Sequence, residues 1–253
     1  MKVAVIGSGR WGQVLIRKFH SLGGVYGVYG HRNRESLQAL GIPFFEDVDS
    51  LIEGSEAVVV ATPATTHYDV ACRVLEAGKD LFLEKPMALR VEEAQDLVAR
   101  AERAHRILMV GHILCYGDLA ETLRALGRPV RAEAVFHKTS TTEPYLNATW
   151  NFGPHLVALA DYLGLPVEAL SLDCNDRAPR DQRTFTLTAV DEAGRERTFT
   201  ADYLAPESRE DRLQAECQHF LDCLRTRSRP RTDGAHGVRV IETLTRLSPV
   251  VHR

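Results

Sequence analysis

The sequence predicts an α/β protein, with a doubly wound parallel sheet at the N-terminus and a smaller α+β region whose sheet is mostly antiparallel. Three observations carry this. Five short apolar runs, "KVAVIG" (2–7), "VYGVYG" (25–30), "AVVVAT" (57–62), "DLFLEK" (80–85) and "ILMVGH" (107–112), are bounded by Gly, Pro or Asp. Helical periods such as "RWGQVLIRKFHSLG" and "TTHYDVACRVLEAG" lie between them. Continuous apolar strands alternating with amphipathic helices require a parallel sheet covered on both faces. Beyond residue 112 the apolar period changes to two, as a half-exposed sheet demands.

The elements follow in order. The first strand runs into a Gly-rich turn and a helix, and the helix before the fourth strand closes at Gly78, an expected stop. A helix over about 116–126 ends near Gly127, and "PVRAEAVFHKT" (129–139) alternates as a strand. A helix is expected in "TWNFGPHLVALADYLG" (149–164), then strands at 167–174, 183–190 and 195–202, the last two joined by the turn "DEAG". Helices over 207–226 and 233–247 finish the chain. The expected division is a doubly wound α/β domain over 1–112 and a smaller α+β domain over 113–253; the motifs and the resemblance described below imply that the first binds a dinucleotide and the second serves substrate binding and oligomerisation.

Composition narrows the function class. Hydrophobic residues make up 44% and charged residues 26%, ordinary for a globular protein, and the formal net charge of −3 gives no basic footprint for nucleic acid. The Arg-dense "LRTRSRPRTDG" (224–234) reads as a solvated helix end opposing the helix dipole. Five cysteines without a CxxC pair point to a reduced compartment and no metal site. "MKVAVIGSG" enters a strand directly rather than a signal sequence, and no apolar run approaches the roughly 20 residues of a membrane span, so a cytoplasmic protein without a membrane partner is expected. The sequon "NAT" (147–149) is read as accidental.

The chemistry begins at "VAVIGSGRWGQ". Gly7, Gly9 and Gly12 stand as G-x-G-x-x-G between strand and helix, with Ser8, Arg10 and Trp11 as the intervening positions. Gly7 permits the turn, Gly9 lets a pyrophosphate approach the backbone and Gly12 allows close helix–strand packing. An NAD site places a carboxylate at the end of the second strand to hold the adenosine ribose. Here "GVYGHRNRE" offers His31, then Arg32 and Arg34. Loss of the carboxylate removes repulsion of a 2′-phosphate and arginine binds phosphate bidentately, so NADP is favoured over NAD. In "TWNFGPH", Trp150, Asn151, Pro154 and His155 crowd the start of a helix, and the amide and imidazole, four apart, share one face. On its own this is a cap plus a core histidine.

"ATPATTH" (61–67), "FLEKPMAL" (82–89) and "LMVGH" (108–112), in that order after the Gly-rich loop, closely resemble the Gfo/Idh/MocA family of nicotinamide-dependent oxidoreductases. The resemblance continues through "TWNFGPH" and "ECQHFLDCLRTRSRPRTDGAHGVRVIETL", and is nearest the branch containing UDP-N-acetylglucosamine-type 3-dehydrogenases. It implies a Rossmann domain with Ala61, Thr62, Pro63 and His67 along the nicotinamide ribose, Glu84 and Lys85 close to the nicotinamide, and His112 at the end of the fifth strand. It also implies a catalytic lysine, Lys85, and a D-x-x-x-H pair matched here by Asn151 and His155. Tyr116, Trp150, Asn151, His155 and Lys85 are the expected substrate contacts, and others are expected in the abbreviated stretch "STTEPYLNA" (140–148).

The implied reaction is hydride transfer between a nicotinamide and a hydroxyl or carbonyl of a sugar, sugar nucleotide or polyol. Asn151 departs from the family aspartate, and Leu156 from an aspartate common in that branch. A cofactor-binding protein with little dehydrogenase activity, or a reductase of another substrate class, is therefore the alternative. The family's habit of pairing through the open face of the second sheet implies a homodimer or homotetramer.

Overall fold

The computed structural model describes residues 1–136, 148–174, 183–202 and 206–247. Every residue of β1 (Val3–Ile6) is buried, as a central strand covered on both faces requires. It leads into α1 (Arg10–Gly23), β2 (Gly27–Tyr29), α2 (Arg34–Gln38), α3 (Val48–Gly54), β3 (Ala57–Val60), α4 (His67–Glu76), β4 (Asp80–Glu84), α5 (Val91–Ala104) and β5 (Leu108–Gly111). The strands are all parallel in the order β2-β1-β3-β4-β5, with Ile6 opposite Tyr29 and Val60, and Glu84 opposite Gly111. The chain reverses direction across the sheet between β1 and β3, which is where open α/β sheets bind ligands.

The helices pack by the periodicity the sequence carries. α1 buries Gly12, Leu15, Ile16 and Phe19, and α4 buries His67, Ala71, Val74 and Leu75. The short α2 and α3 are additional to the expected elements. The signal for α3 lies in Asp47, whose carboxylate accepts the Ser50 N–H at 2.8 Å and caps the helix.

The second unit contains α6 (Asp118–Ala125), β6 (Arg128–Phe136), α7 (Ala148–Tyr162), β7 (Leu170–Cys174), β8 (Arg183–Val190), β9 (Glu196–Asp202), the first half of α8 (Pro206–Thr226) and most of α9 (Gly234–Leu247). Its sheet has the order β7-β6-β8-β9, antiparallel except for the parallel β6–β7 pair. A parallel pair needs a crossover, and α7 lies in the chain between those two strands. Phe185, Leu187 and Ala189 of β8 are fully buried on one face, while Thr186–Thr200 and Thr188–Thr198 pair across strands on the other. The expected hairpin turn is present, with Asp191 accepting the backbone N–H groups of Ala193 and Arg195.

The single cut expected after residue 112 is replaced by a split in which Cys217–Ala235 joins Met1–Gly111. Phe220 meets Phe19 and Phe82 edge-on at 6.1 and 5.5 Å. Thr232 and Val110 exchange hydrogen bonds of 2.7 and 2.8 Å. The Arg-rich stretch is also more than a solvated helix end, since Arg225, Arg227 and Arg229 pair with Asp222, Asp80 and Asp233. The expected strand end at 137–139, the substrate stretch up to residue 147 and the start of the sequon lie outside the described residues. Among the described residues no helix is long and apolar enough to cross a membrane.

Candidate active site

The Gly-rich turn is set by contacts rather than by flexibility. Gly7 has φ +110°, and a Cβ there would strike the Ala61 carbonyl at the end of β3. A Cβ on Gly12 would strike the Gly7 carbonyl. Gly9 differs, because a Cβ there would meet no protein atom within 4 Å. The protein itself does not require glycine at this position, whereas a phosphate lying against the backbone would. α1 has no side-chain cap and no acidic residue in its first turn, so its leading N–H groups and dipole suit an anion. These residues fit a dinucleotide pyrophosphate. Arg10 is exposed beside it.

Ser8, expected to touch the cofactor, is buried and tied to protein. Its hydroxyl donates to the Arg32 carbonyl at 2.5 Å and accepts the Arg32 N–H at 3.1 Å, and its carbonyl accepts from Asn33 at 2.9 Å. Ser8 thus fastens the Gly-rich turn to the end of β2. There His31 and Arg32 are exposed, with His31 edge-on to Tyr29. Arg34 is drawn to Glu46 at 2.5 Å and lies over Phe44. No carboxylate pairs with Arg32 among the described residues.

The end of β3 carries Ala61 and Thr62, partly exposed, and Pro63, exposed. His67, expected along the cofactor, is 1% exposed. Its Nδ1 faces the Pro86 carbonyl at 2.7 Å and its Nε2 faces the Thr62 carbonyl at 2.8 Å. Burial holds this imidazole below its ordinary pKa, the two carbonyls oppose that, and the Lys85 charge adds to it. His67 therefore links the segments that follow β3 and β4.

Lys85 follows β4, with a cis bond to Pro86, and is partly exposed. Its neighbour Glu84 is buried, with Oε1 accepting the Trp11 indole N–H at 2.6 Å and Oε2 the Lys85 N–H at 3.2 Å. Burial drives this carboxyl up to about 7, against the Trp11 bond and the Lys85 charge. Gly111 makes room for it, since a Cβ there would sit 3.0 Å from Oε1. This makes Glu84 a bridge between the Gly-rich loop and the lysine, which the motif alone does not reveal.

In the second unit, α7 carries Trp150, Asn151 and His155. Leu156 to Ala160 are all buried, as in a helix enclosed on every side. Gly153 lets Leu244 and Leu172 approach, and a Cβ there would lie 2.9 Å from Leu244. Trp150 is 0% exposed and Tyr116 2%, so both pack inside the unit. Asn151 is 8% exposed, and His155 is partly exposed one turn further on.

His112, expected near the cofactor, is buried with its ring edge-on to His236 at 5.3 Å. His236 Nδ1 donates to Asp161 at 2.8 Å, and Arg239 grips the same carboxylate with two bonds of 2.8 Å. Burial raises the Asp161 pKa, but His236 and Arg239 outweigh it and bring it to about 2. Sequence reasoning missed this group. Its signal was His236 and Arg239 three apart on one helical face. No cluster suited to a metal ion exists among the described residues.

The uncapped α1, the three glycines and the strand-end residues define a dinucleotide-binding unit of the Rossmann class. Residues 1–112 match the model of the Gfo/Idh/MocA family, described as an oxidoreductase family with an NAD-binding Rossmann fold. UDP-N-acetylglucosamine 3-dehydrogenase of Acidithiobacillus ferrooxidans is 33% identical over 130 residues, covering 50% of this chain and 42% of that protein. The scyllo-inositol 2-dehydrogenase (NAD+) of Bacillus subtilis is 31% identical over 108 residues, covering 39% and 32%. The matches thus span less than half the length of either relative. A solved structure of the Acidithiobacillus enzyme superposes with a TM-score of 0.81 at 23% identity, covering 99% of this chain and 97% of the other, which shows a shared fold.

Proposed function

We propose that the protein is an NAD(P)-dependent oxidoreductase acting on a hydroxyl or carbonyl of a sugar, sugar nucleotide or polyol. The observation that carries this reading is the hydrogen bond from Trp11, in the first turn of α1, to Glu84, the residue directly before Lys85. The named activities of the two relatives, both dehydrogenases of hydroxylated compounds, support the substrate class. The bound nicotinamide supplies a hydride acceptor in oxidation and a donor in reduction.

Lys85 stabilises the oxygen as it gains negative charge, and His155 takes the hydroxyl proton in oxidation and returns it in reduction. Asn151 can hold the imidazole by a hydrogen bond but lends it no charge. In an unrelated serine hydrolase, changing the aspartate that orients the catalytic histidine to asparagine costs about 10⁴ in turnover. Asn151 is the one observation favouring a second reading, a nucleotide-binding protein with weak or no dehydrogenase activity. Exposed Arg32, with no carboxylate at the end of β2, supports NADP over NAD. The threonine-lined face of β8 and β9 is proposed to pair two copies of the chain.

Reduction of UDP-sugar ketones, inosose and simple aldoses by NADPH and NADH tests this, with the nucleotide bound on purification identified by mass. Turnover lost in both Lys85→Ala and His155→Ala supports the reading. Turnover unchanged in either variant, or failure to take up either nucleotide at millimolar concentration, contradicts it.

A further inference from the structure

We propose that Glu84 is a positioning residue for Lys85, its buried carboxylate tying the first turn of α1 to the lysine backbone so that dinucleotide loop and lysine are placed together, with a tie that tightens on ionisation. The inference rests on the reading of Lys85 given above. Three features of the geometry support it.

The two carboxylate oxygens are used separately, one by the Trp11 indole and one by the Lys85 amide. A carboxylate accepts both bonds with charge assistance, whereas a neutral carboxyl turns one oxygen into a donor and weakens one arm of the bridge. Gly111, directly opposite in the sheet, leaves room for the carboxyl, since a Cβ there would sit 3.0 Å from Oε1. The bridge also joins residues 73 positions apart, from two crossover units of the sheet, so local chain stiffness cannot replace it. Lys85 is the one charged side chain acting on Glu84 among the described residues, while His67 acts on the same segment through the Pro86 carbonyl. With its carboxyl pushed to about 7, Glu84 changes charge near neutrality, where the bridge can respond to pH.

The test uses the full chain and two readouts. Trp11 emission, taken as the difference between the native chain and Trp11→Phe, is followed without cofactor or substrate from about pH 5 to about pH 9. The expected result is one transition near pH 7 that vanishes in Glu84→Gln and moves in Gly111→Ala. Emission indifferent to pH, or a transition surviving in Glu84→Gln, overturns the proposal. In turnover, Glu84→Gln is expected to lower kcat about tenfold while changing the cofactor KM less than about threefold. A raised cofactor KM with unchanged kcat would make Glu84 a cofactor contact and also overturn it. A native chain without turnover defeats the proposed function, while the emission arm still decides the bridge.

Discussion

Arg227 and Asp80, 147 residues apart in sequence, meet in a two-bond ion pair of 2.5 and 3.1 Å. Asp80 opens β4 almost wholly buried and also accepts the Ile107 N–H at 2.8 Å, while Arg227 reaches the His105 carbonyl. The pair fixes the segment after α8 to the N-terminal edge of the parallel sheet. Asp80→Ala is expected to cost about 2–3 kcal/mol, because it removes a buried hydrogen-bonded charge that serves two chain segments. Arg227 is about half exposed, so Arg227→Ala is expected to cost less, about 1–2 kcal/mol, chiefly by leaving Asp80 unneutralised. Urea unfolding of both variants measures this.

The glycines of the first turn separate by what each Cβ would meet. Gly9→Ala is expected to leave the melting temperature within about 2 °C of the native chain and to weaken dinucleotide binding at least about tenfold. Gly7→Ala is expected to lower stability by more than about 2 kcal/mol, since it adds a backbone collision to a left-handed conformation. Thermal melts with and without NADPH distinguish the two.

Glu84 gives a pH dependence whose sign follows from its raised pKa. Between 4.5 and about 7 the folded state binds more protons at this site than the unfolded chain, so its stabilising contribution is present below 4.5 and is lost as pH rises through about 7. Glu84→Gln mimics the protonated form. Its melting temperature relative to the native chain is expected to rise as pH is taken through that window. His67 acts in the opposite sense, because a depressed imidazole pKa costs stability as pH falls below about 6.5. A His67→Gln control separates the two slopes.

Asp161 is expected to matter for stability down to low pH. With a carboxyl near 2, its contribution holds above 3.8 and disappears as pH falls through about 2. Asp161→Asn removes the charge from a buried His236 and a half-exposed Arg239, and a loss of about 2 kcal/mol at neutral pH is expected. Equilibrium unfolding at neutral pH checks it, and a change under about 0.5 kcal/mol would show the pair to be idle.

The parallel sheet is legible in the sequence because its strands are continuous apolar runs separated by amphipathic helices, and a covered strand such as Val3–Ile6 admits little else. The Gly-rich loop is legible because its spacing reflects local backbone geometry, Gly7 and Gly12 answering to collisions and Gly9 to open space. What escapes is long-range. Nothing near Phe220 in sequence says that it packs on Phe19 and Phe82, so the return of the chain to its first unit could not be seen. The site shows the same limit. Motifs identified Glu84, His67 and Ser8 as neighbours of a cofactor, but their burial and their partners, the Trp11 indole, the Pro86 carbonyl and the Arg32 amide, depend on contacts 19 to 73 residues away. The β6–β7 pair is parallel rather than antiparallel because α7 intervenes as a crossover, a matter of connection that period-two patterning does not encode.

We propose that Lys85 and His155 serve one hydride transfer. It is tested most directly by the nicotinamide absorbance change on mixing the full chain with NADPH and a keto-sugar or inosose, in the native chain, Lys85→Ala, His155→Ala and the double variant. The expected result is measurable turnover, a loss of at least about 10²-fold in each single variant, and a double variant scarcely worse than either, as for residues acting as a unit. Turnover unchanged in Lys85→Ala, or losses that simply multiply in the double variant, would contradict it.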